Sequence, residues 1–299
     1  MLYVCADDYG MTEESCSRIE DCAENGALNK ISIFPNSGLL NLDERIQDKN
    51  LRISIHINLV EGKPLSSPDD VSLLVSDNGR FKWSFGGLLL LSLSSKRKTF
   101  ERQIYKEIRA QIKNCMKFIS PDSAVAIDSH QHTHMIPLIF KVLMQVISDE
   151  GINADYIRVP SEPVMPYLFA PSLYFTYKPA NIVKQWVLKF LAAVNKKELE
   201  KSGINTAYFM GILFSGKMDE KRVNKVLPHY QRLAQKNGKD IEILFHPGYL
   251  KSGENVFDEE KKSFKKFYFS KGRKIEFDTV KRLKVDKNTT KEECNECLI

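Results

Sequence analysis

Two adjacent carboxylates, Asp7 and Asp8, come straight after the apolar run 2–6, and three histidines alternate through Asp128-Ser129-His130-Gln131-His132-Thr133-His134. The chain has only six histidines; these three, His56 and His246 fall in three short patches. Paired carboxylates beside an apolar strand are costly to desolvate unless something positive meets them. A divalent cation meets one of them, and the other is then available as a base. In extended backbone, side chains alternate with period two, so His130, His132 and His134 are expected on one face. Neutral imidazoles ligate divalent metals, and Asp128 is placed to orient one of them through its other ring nitrogen. His56, inside Ile53-Ser54-Ile55-His56-Ile57, would by itself read as a core histidine; beside the three-histidine patch it becomes a candidate ligand. His246, ahead of Pro247-Gly248, ends a strand where a catalytic acid or a structural histidine would both fit. The chemistry these residue types point to is hydrolysis assisted by one divalent cation.

Something must bring four distant segments together. Strand-length apolar runs at 2–6, 53–57, 124–127, 156–159, 207–211 and 241–245 alternate with segments of helical periodicity. Such alternation predicts an α/β fold with mostly parallel strands, either a barrel or an open sheet. Asp7-Asp8, His56, the 128–134 patch and His246 all lie at the carboxyl ends of these strands. In parallel α/β folds those ends share one face, where ligand sites are built. Thr12 is expected to cap a helix with Glu13 and Glu14 in its first turn and Asn25-Gly26 at its end. Phe100, Ile104, Ile108, Ile112 and Met116 form an apolar stripe. Pro137 suits the first turn of a helix burying Ile139, Val142, Leu143 and Val146. A further stripe runs through Ile182, Val183, Trp186, Val187, Phe190 and Leu191. Segments 66–99 and 161–180 interrupt the alternation as long, aromatic-containing loops of the kind that often serve function. A single domain over 1–285 with a polar, disordered tail at 286–299 is the expected organisation.

A formal charge of +6 spread over 44 basic and 38 acidic residues is no nucleic-acid signature. The densest basic stretch, Lys261, Lys262, Lys265, Lys266, Lys271, Arg273 and Lys274, reads as one wet helical face. Six cysteines in a chain of 299 residues make no small-domain disulfide framework, and Cys294-x-x-Cys297 lacks the second pair of a structural zinc site. The most apolar run, Leu88 to Leu91 with Leu93, is far short of the ~20 residues that span a bilayer. With the first strand beginning at once, a cytoplasmic protein is expected.

Four blocks, ADDYG at 6–10, HINLVEGKPLS at 56–66, DSHQHTH at 128–134 and FHPGY at 245–249, resemble the YdjC-like carbohydrate deacetylases of the chitooligosaccharide type; IRVPSEP at 157–163 is a weaker fifth. The resemblance implies a (β/α) barrel-like fold related to polysaccharide deacetylases and one Mg²⁺ or Zn²⁺ ion. Its ligands would be Asp8, His56 and His130, with Asp7 as general base and His246 as general acid. His132, His134 and Arg158, with Asp128, would support the site or touch substrate. The implied partner is an acetylated oligosaccharide or amino sugar, without nucleic acid or membrane, and with a homodimer as the compatible assembly. Val60 and Tyr9 depart from the family's usual threonine and phenylalanine but neither adds nor removes a ligand, and the chain beyond 250 matches poorly. Tyr167, Phe169, Tyr174, Phe175 and Tyr177 are candidates to face sugar rings or to pack the loop. The rival readings are a phosphoesterase-type metal hydrolase and a non-catalytic sugar-binding member of the fold.

Overall fold

The computed structural model describes residues 1–39, 51–120 and 123–284. The predicted tail at 286–299, with Cys294 and Cys297, lies outside them. Seven strands form one sheet: β1 Leu2–Tyr9, β2 Lys30–Ile33, β3 Arg52–Ile57, β4 Val125–Ser129, β5 Ala154–Ile157, β6 Tyr208–Met210 and β7 Ile241–Phe245. Their order is β5-β4-β3-β2-β1-β7-β6, and every pairing is parallel. The edges meet at Asn205, which accepts from the Ile157 amide at 3.0 Å and donates to the Asp155 carbonyl at 3.2 Å. The sheet therefore curls into the expected barrel-like form. Strand β2 is an addition: four residues, opening on a lysine, give too short an apolar run to read in advance.

Period-two alternation sorts the strand residues. In β3, Ile55 and Ile57 point outward into the helical layer, while Ser54 and His56 point inward. Val4, Ile31, Ile33, Ile127, Ile157 and Ile243 join the same outer core. The interior is polar, holding Lys30, Ser32, Asp128, Arg158 and Glu242, all fully buried.

Helices α1 Glu13–Asn25, α2 Phe85–Leu93, α3 Arg97–Met116, α4 Pro137–Asp149, α5 Met165–Leu168, α6 Pro179–Ser202, α7 Glu220–Asn237, α8 Lys262–Tyr268 and α9 Lys271–Arg282 surround it. Thr12 caps α1 through a reciprocal pair with Ser15, the Ser15 amide donating to Thr12 Oγ1 at 3.1 Å and the Thr12 amide to Ser15 Oγ at 3.2 Å. The stripe of α4 is buried as expected, and that of α3 from Phe100 to Ile112, with Met116 half-buried at the helix end. Three expectations fail. The 66–99 and 161–180 segments are not structureless: they carry α2, α5 and a 3₁₀ turn at Pro171–Thr176. Of the α6 stripe only Leu191 packs inward; Val183, Trp186 and Phe190 are 63, 63 and 67% exposed, because α6 turns Gln185, Leu188, Leu191 and Asn195 to the fold. The basic stretch is not one wet face, since it divides between α8 and α9 and Arg273 is buried. Among the described residues no helix is long and apolar enough to cross a membrane.

Candidate active site

Adjacent residues in a strand normally point to opposite faces, so Asp7 and Asp8 cannot both enter one site without a backbone device. The device is a bulge. The β1–β2 register slips between Ala6 and Tyr9, and Asp8 takes a left-handed φ of 70°. Aspartate is among the few non-glycine residues that adopt this conformation readily. Both carboxylates then turn into the barrel mouth. His56 and Asp128 arrive as direct register partners on β3 and β4.

His130 comes from a different geometry than the sequence implied. Residues His130–Met135 form a 3₁₀ turn with Gln131 and His132 in left-handed conformations, not an extended segment. The three histidines therefore separate. His130 Nδ1 lies 3.0 Å from Asp8 Oδ1. His134 turns away, Nδ1 at 2.5 Å from Ser129 Oγ and Nε2 donating to the Arg158 carbonyl at 2.8 Å. Burial pushes it down to about 4, which keeps it neutral. His132 is buried edge-on to Phe209, and burial with the cations Lys184 and Arg158 holds it well below its ordinary value; its Nδ1 has no partner.

Asp8, His56 and His130 offer ligand atoms that all lie within 4.8 Å of one another. His56 Nε2 stands 3.6 Å from Asp8 Oδ1, and both atoms are buried without a hydrogen-bond partner. The other ring nitrogens are held: His56 Nδ1 meets Asp128 Oδ1 at 2.5 Å, and His130 Nε2 meets Glu61 Oε2 at 3.1 Å. Each imidazole thus turns its remaining nitrogen inward, the carboxylate–histidine arrangement that fixes ligating histidines. Asp8 Oδ2 is taken by Arg273, leaving Oδ1 to face His56 Nε2 and His130 Nδ1. Phe34 and Phe264 cover the His130 ring edge-on at 5.2 and 5.6 Å.

The electrostatics favour a cation. Burial opposes a charge on Asp8, but the Arg273 guanidinium and His130 hold its carboxyl well below the usual range. Burial likewise opposes a charge on His56, yet Asp7 and Asp128 outweigh it and push the imidazole up to about 10. Through ion pairs, five carboxylates (Asp7, Asp8, Glu61, Asp128, Glu242) join three permanent cations (Lys30, Arg158, Arg273). That leaves an excess of two negative charges, which either two imidazolium rings or one divalent ion neutralises. The orphaned atoms, their spacing and this charge all fit a single divalent metal.

Asp7 is gripped by Arg158 through both oxygens, at 2.7 and 2.9 Å. Arg158 is fully buried and also donates to Glu242, so it supports Asp7 from below. His246 follows Phe245, the register partner of Ala6, and so leaves the strand end beside Asp7. Its amide and Nδ1 face Glu276 Oε2 at 2.6 and 3.3 Å, so Glu276 holds the ring from its Nδ1 side. Of the aromatic candidates, Tyr167 is buried against Tyr230 and Tyr177 stacks on Phe214, while Phe169 stacks on His229 and Phe175 is fully exposed.

Sequence reasoning missed Glu61, Lys30, Glu242, Arg273 and Glu276. Glu61 had a usable signal, lying five residues after His56 within one block. Arg273 and Glu276 had none: both sit on α9, beyond the matched blocks, and only the fold carries them back to Asp8 and His246.

A parallel barrel with carboxylates and histidines gathered at its carboxyl-terminal mouth defines the class. The sequence model of YdjC-like protein matches residues 1–288, and the chain belongs to that family. A carbohydrate deacetylase of Danio rerio is 31% identical over 67% of this chain, and that match spans 58% of the relative's own length. A carbohydrate deacetylase of Thermoanaerobacter pseudethanolicus is 37% identical over 67% of this chain and 78% of its own. Among solved structures, an Enterococcus faecalis protein described as a candidate for cellobiose-phosphate cleavage superposes with a TM-score of 0.61 at 18% identity, covering 94% of this chain and 90% of that one.

Proposed function

We propose that this protein is a metal-dependent hydrolase that removes acetyl groups from N-acetylated carbohydrates, with chitooligosaccharide-like amino sugars as substrates. The observation that carries the reading is the juxtaposition of two things at one barrel mouth. One is a chelating trio with buried, unpartnered atoms; the other is an acid–base pair, Asp7 and His246, on adjacent strand ends. The relatives named carbohydrate deacetylase supply the substrate class.

Asp8, His56 and His130 would hold one Mg²⁺ or Zn²⁺. Bound there, such an ion supplies Lewis-acid chemistry, making water more acidic and an amide carbonyl more electrophilic. Asp7 takes the proton of the attacking water, and the Arg158 fork keeps its carboxylate from rotating. The water oxygen bonds to the acetyl carbon. His246 gives its Nε2 proton to the sugar nitrogen as the C–N bond breaks, because an amide nitrogen leaves poorly as an anion. Glu276 orients the ring from its Nδ1 side. Acetate and a free amino sugar result.

A phosphoesterase acting through two metals needs a second cation site. The other two clusters of metal-ligating type among the described residues, Cys5/Asp128/Glu242 and Asp7/His56/Asp128, already hold the cations of Lys30 and Arg158. Four described cysteines are free thiols, which suits the proposed cytoplasmic setting.

The test is acetate release from N-acetylated oligosaccharides by Asp7→Asn, with metal binding measured on the same sample. Turnover is expected to fall roughly 10²- to 10⁴-fold, the usual contribution of a general base, while one ion still binds. Undiminished turnover would remove Asp7 from the mechanism.

A further inference from the structure

Lys184, Leu188, Leu191 and Asn195 recur along α6 at intervals of four, three and four residues, which puts them in one row. The row faces the barrel: Leu188 and Leu191 pack on Met135, Phe209, Ile212 and Leu244, and Asn195 Nδ2 donates to the Met135 carbonyl at 2.8 Å. Those three are buried, yet Lys184 is exposed. An exposed side chain on a core-facing row overhangs an opening, and helix side chains lean toward the helix N-terminus, here beyond Leu188. The opening is the barrel mouth. Asp7 and Glu162 are the acids that face the Lys184 ammonium, and it is the foremost of the cations acting on His132. Enclosure by the mouth lowers its pKa to about 8 against the pull of both carboxylates, so it stays mostly charged near neutrality.

Lys30, Arg158 and Arg273 are each ion-paired, whereas Lys184 has no ion-pair partner among the described residues. Neither facing acid is open to it: Asp7 gives both oxygens to Arg158, and Glu162 receives the amides of Gly211, Ile212 and Leu213. Gln185 fixes the start of the helix through two bonds with the Glu162 backbone, at 2.8 and 3.3 Å. His132, whose buried Nδ1 has no partner, lies on the same side of the mouth. We propose that Lys184 is a specificity residue, its ammonium donating to a ring hydroxyl of the sugar whose acetamido group enters the site. This rests on the deacetylase reading above. A neutral hydroxyl fits better than a phosphate or carboxylate, because the ammonium already faces two acids and a further negative charge would meet net repulsion.

Steady-state acetate release from N-acetylated oligosaccharides tests this on the metal-loaded full chain. Lys184→Met keeps the stem and loses the donor; KM should rise about 10- to 100-fold, the weight of a hydrogen bond from a charged donor, with kcat within about twofold. Lys184→Arg, which restores a charged donor, should recover part of that rise. An unchanged KM in Lys184→Met overturns the proposal. So does a loss confined to kcat with weakened divalent-metal binding, which would make Lys184 a support of the metal site. A parent that prefers phosphorylated sugars, with the preference lost in Lys184→Met, also overturns it by giving the ammonium to an anion. A parent that releases no acetate sinks the deacetylase reading instead. Calorimetric titration with N-acetylated chitobiose then decides the contact: weakened binding in Lys184→Met upholds it, and equal affinity, or no binding to the parent, removes it.

Discussion

At the floor of the barrel, Glu242 takes Lys30 at 2.9 Å and Arg158 at 2.7 and 3.0 Å, and the Tyr156 hydroxyl closes its second oxygen. At the rim, a few ångströms above, Asp8 Oδ1, His56 Nε2 and Glu61 Oε1 are just as buried but lack hydrogen-bond partners. Both places gather ligand-type side chains closely enough to hold an ion. The difference lies in saturation. Buried polar groups nearly always find partners, so a floor that completes its own bonds is architecture, and a rim that leaves them open is a place for something else. Charge points the same way: Arg158 and Lys30 hold Glu242 down to about 2 despite its burial, whereas Asp7 and Asp128 drive His56 up.

Breaking the floor should give the largest effect. Arg158→Leu takes the guanidinium from Asp7 and leaves Lys30 as the one permanent cation ion-paired to Asp128 and Glu242. Removing one partner of a buried ion pair costs about 3–5 kcal/mol because the remaining charges stay buried and uncompensated. Urea unfolding measures this directly, and a variant as stable as its parent would show that the floor is not architectural.

His134 extends the contrast to a single residue type. Its pKa lies at about 4 in the folded chain against an ordinary 6.5, so the unfolded chain takes up the proton first. The stability it contributes is complete above about 6.5 and is lost as pH falls toward 4, up to about 3 kcal/mol. His134→Asn should therefore flatten the acid side of the stability profile. His56, shifted upward, runs the other way in metal-free protein: its contribution is present below its ordinary value and lost as pH rises through about 10. Unfolding midpoints compared near neutrality and near pH 4.5 give the sign, and an unchanged slope in His134→Asn would place His134 outside the satisfied class.

The barrel and the rim trio were legible because period-two alternation and strand-end polarity are local signals. Ile55 and Ile57 against Ser54 and His56 announce a strand with two distinct faces, and Asp7-Asp8 announces its end. What stayed hidden depends on backbone conformation or on distant chain. The left-handed Asp8, Gln131 and His132 break the alternation that the sequence suggests, so three histidines expected on one face went to three environments. Arg273 looked like one more lysine-like surface charge, since nothing within α9 reveals that residue 8 will be its neighbour. The α6 stripe has helical periodicity either way; which of its residues meet the core is decided by what packs against the helix, and only Leu191 does.

The rim can be sharpened through the group that holds His130. Glu61→Gln keeps the shape but removes the negative charge behind His130 Nε2, and should weaken divalent-metal affinity on the order of 10-fold, at the low end for such supporting partners. Calorimetric titration of the stripped protein reads it, with folding stability little changed. Equal affinity in the variant would mean that the 3.1 Å contact does not orient the ring.

Tyr268→Phe should have the smallest effect and the most informative one. The Tyr268 hydroxyl donates to Glu61 Oε2 at 2.6 Å, sharing the oxygen that faces His130. Losing one such bond is worth about 1 kcal/mol, less than tenfold in metal affinity. The ring also lies under the Arg273 guanidinium at 4.5 Å, and Arg273 holds Asp8, so two routes to the rim exist. A double-mutant cycle separates them. If Tyr268 acts through Glu61, the Phe substitution costs almost nothing once Glu61→Gln is in place. If the two losses add, its influence passes through Arg273 to Asp8, and the open carboxylate oxygen at the rim is set from α9 rather than from the block that contains His56.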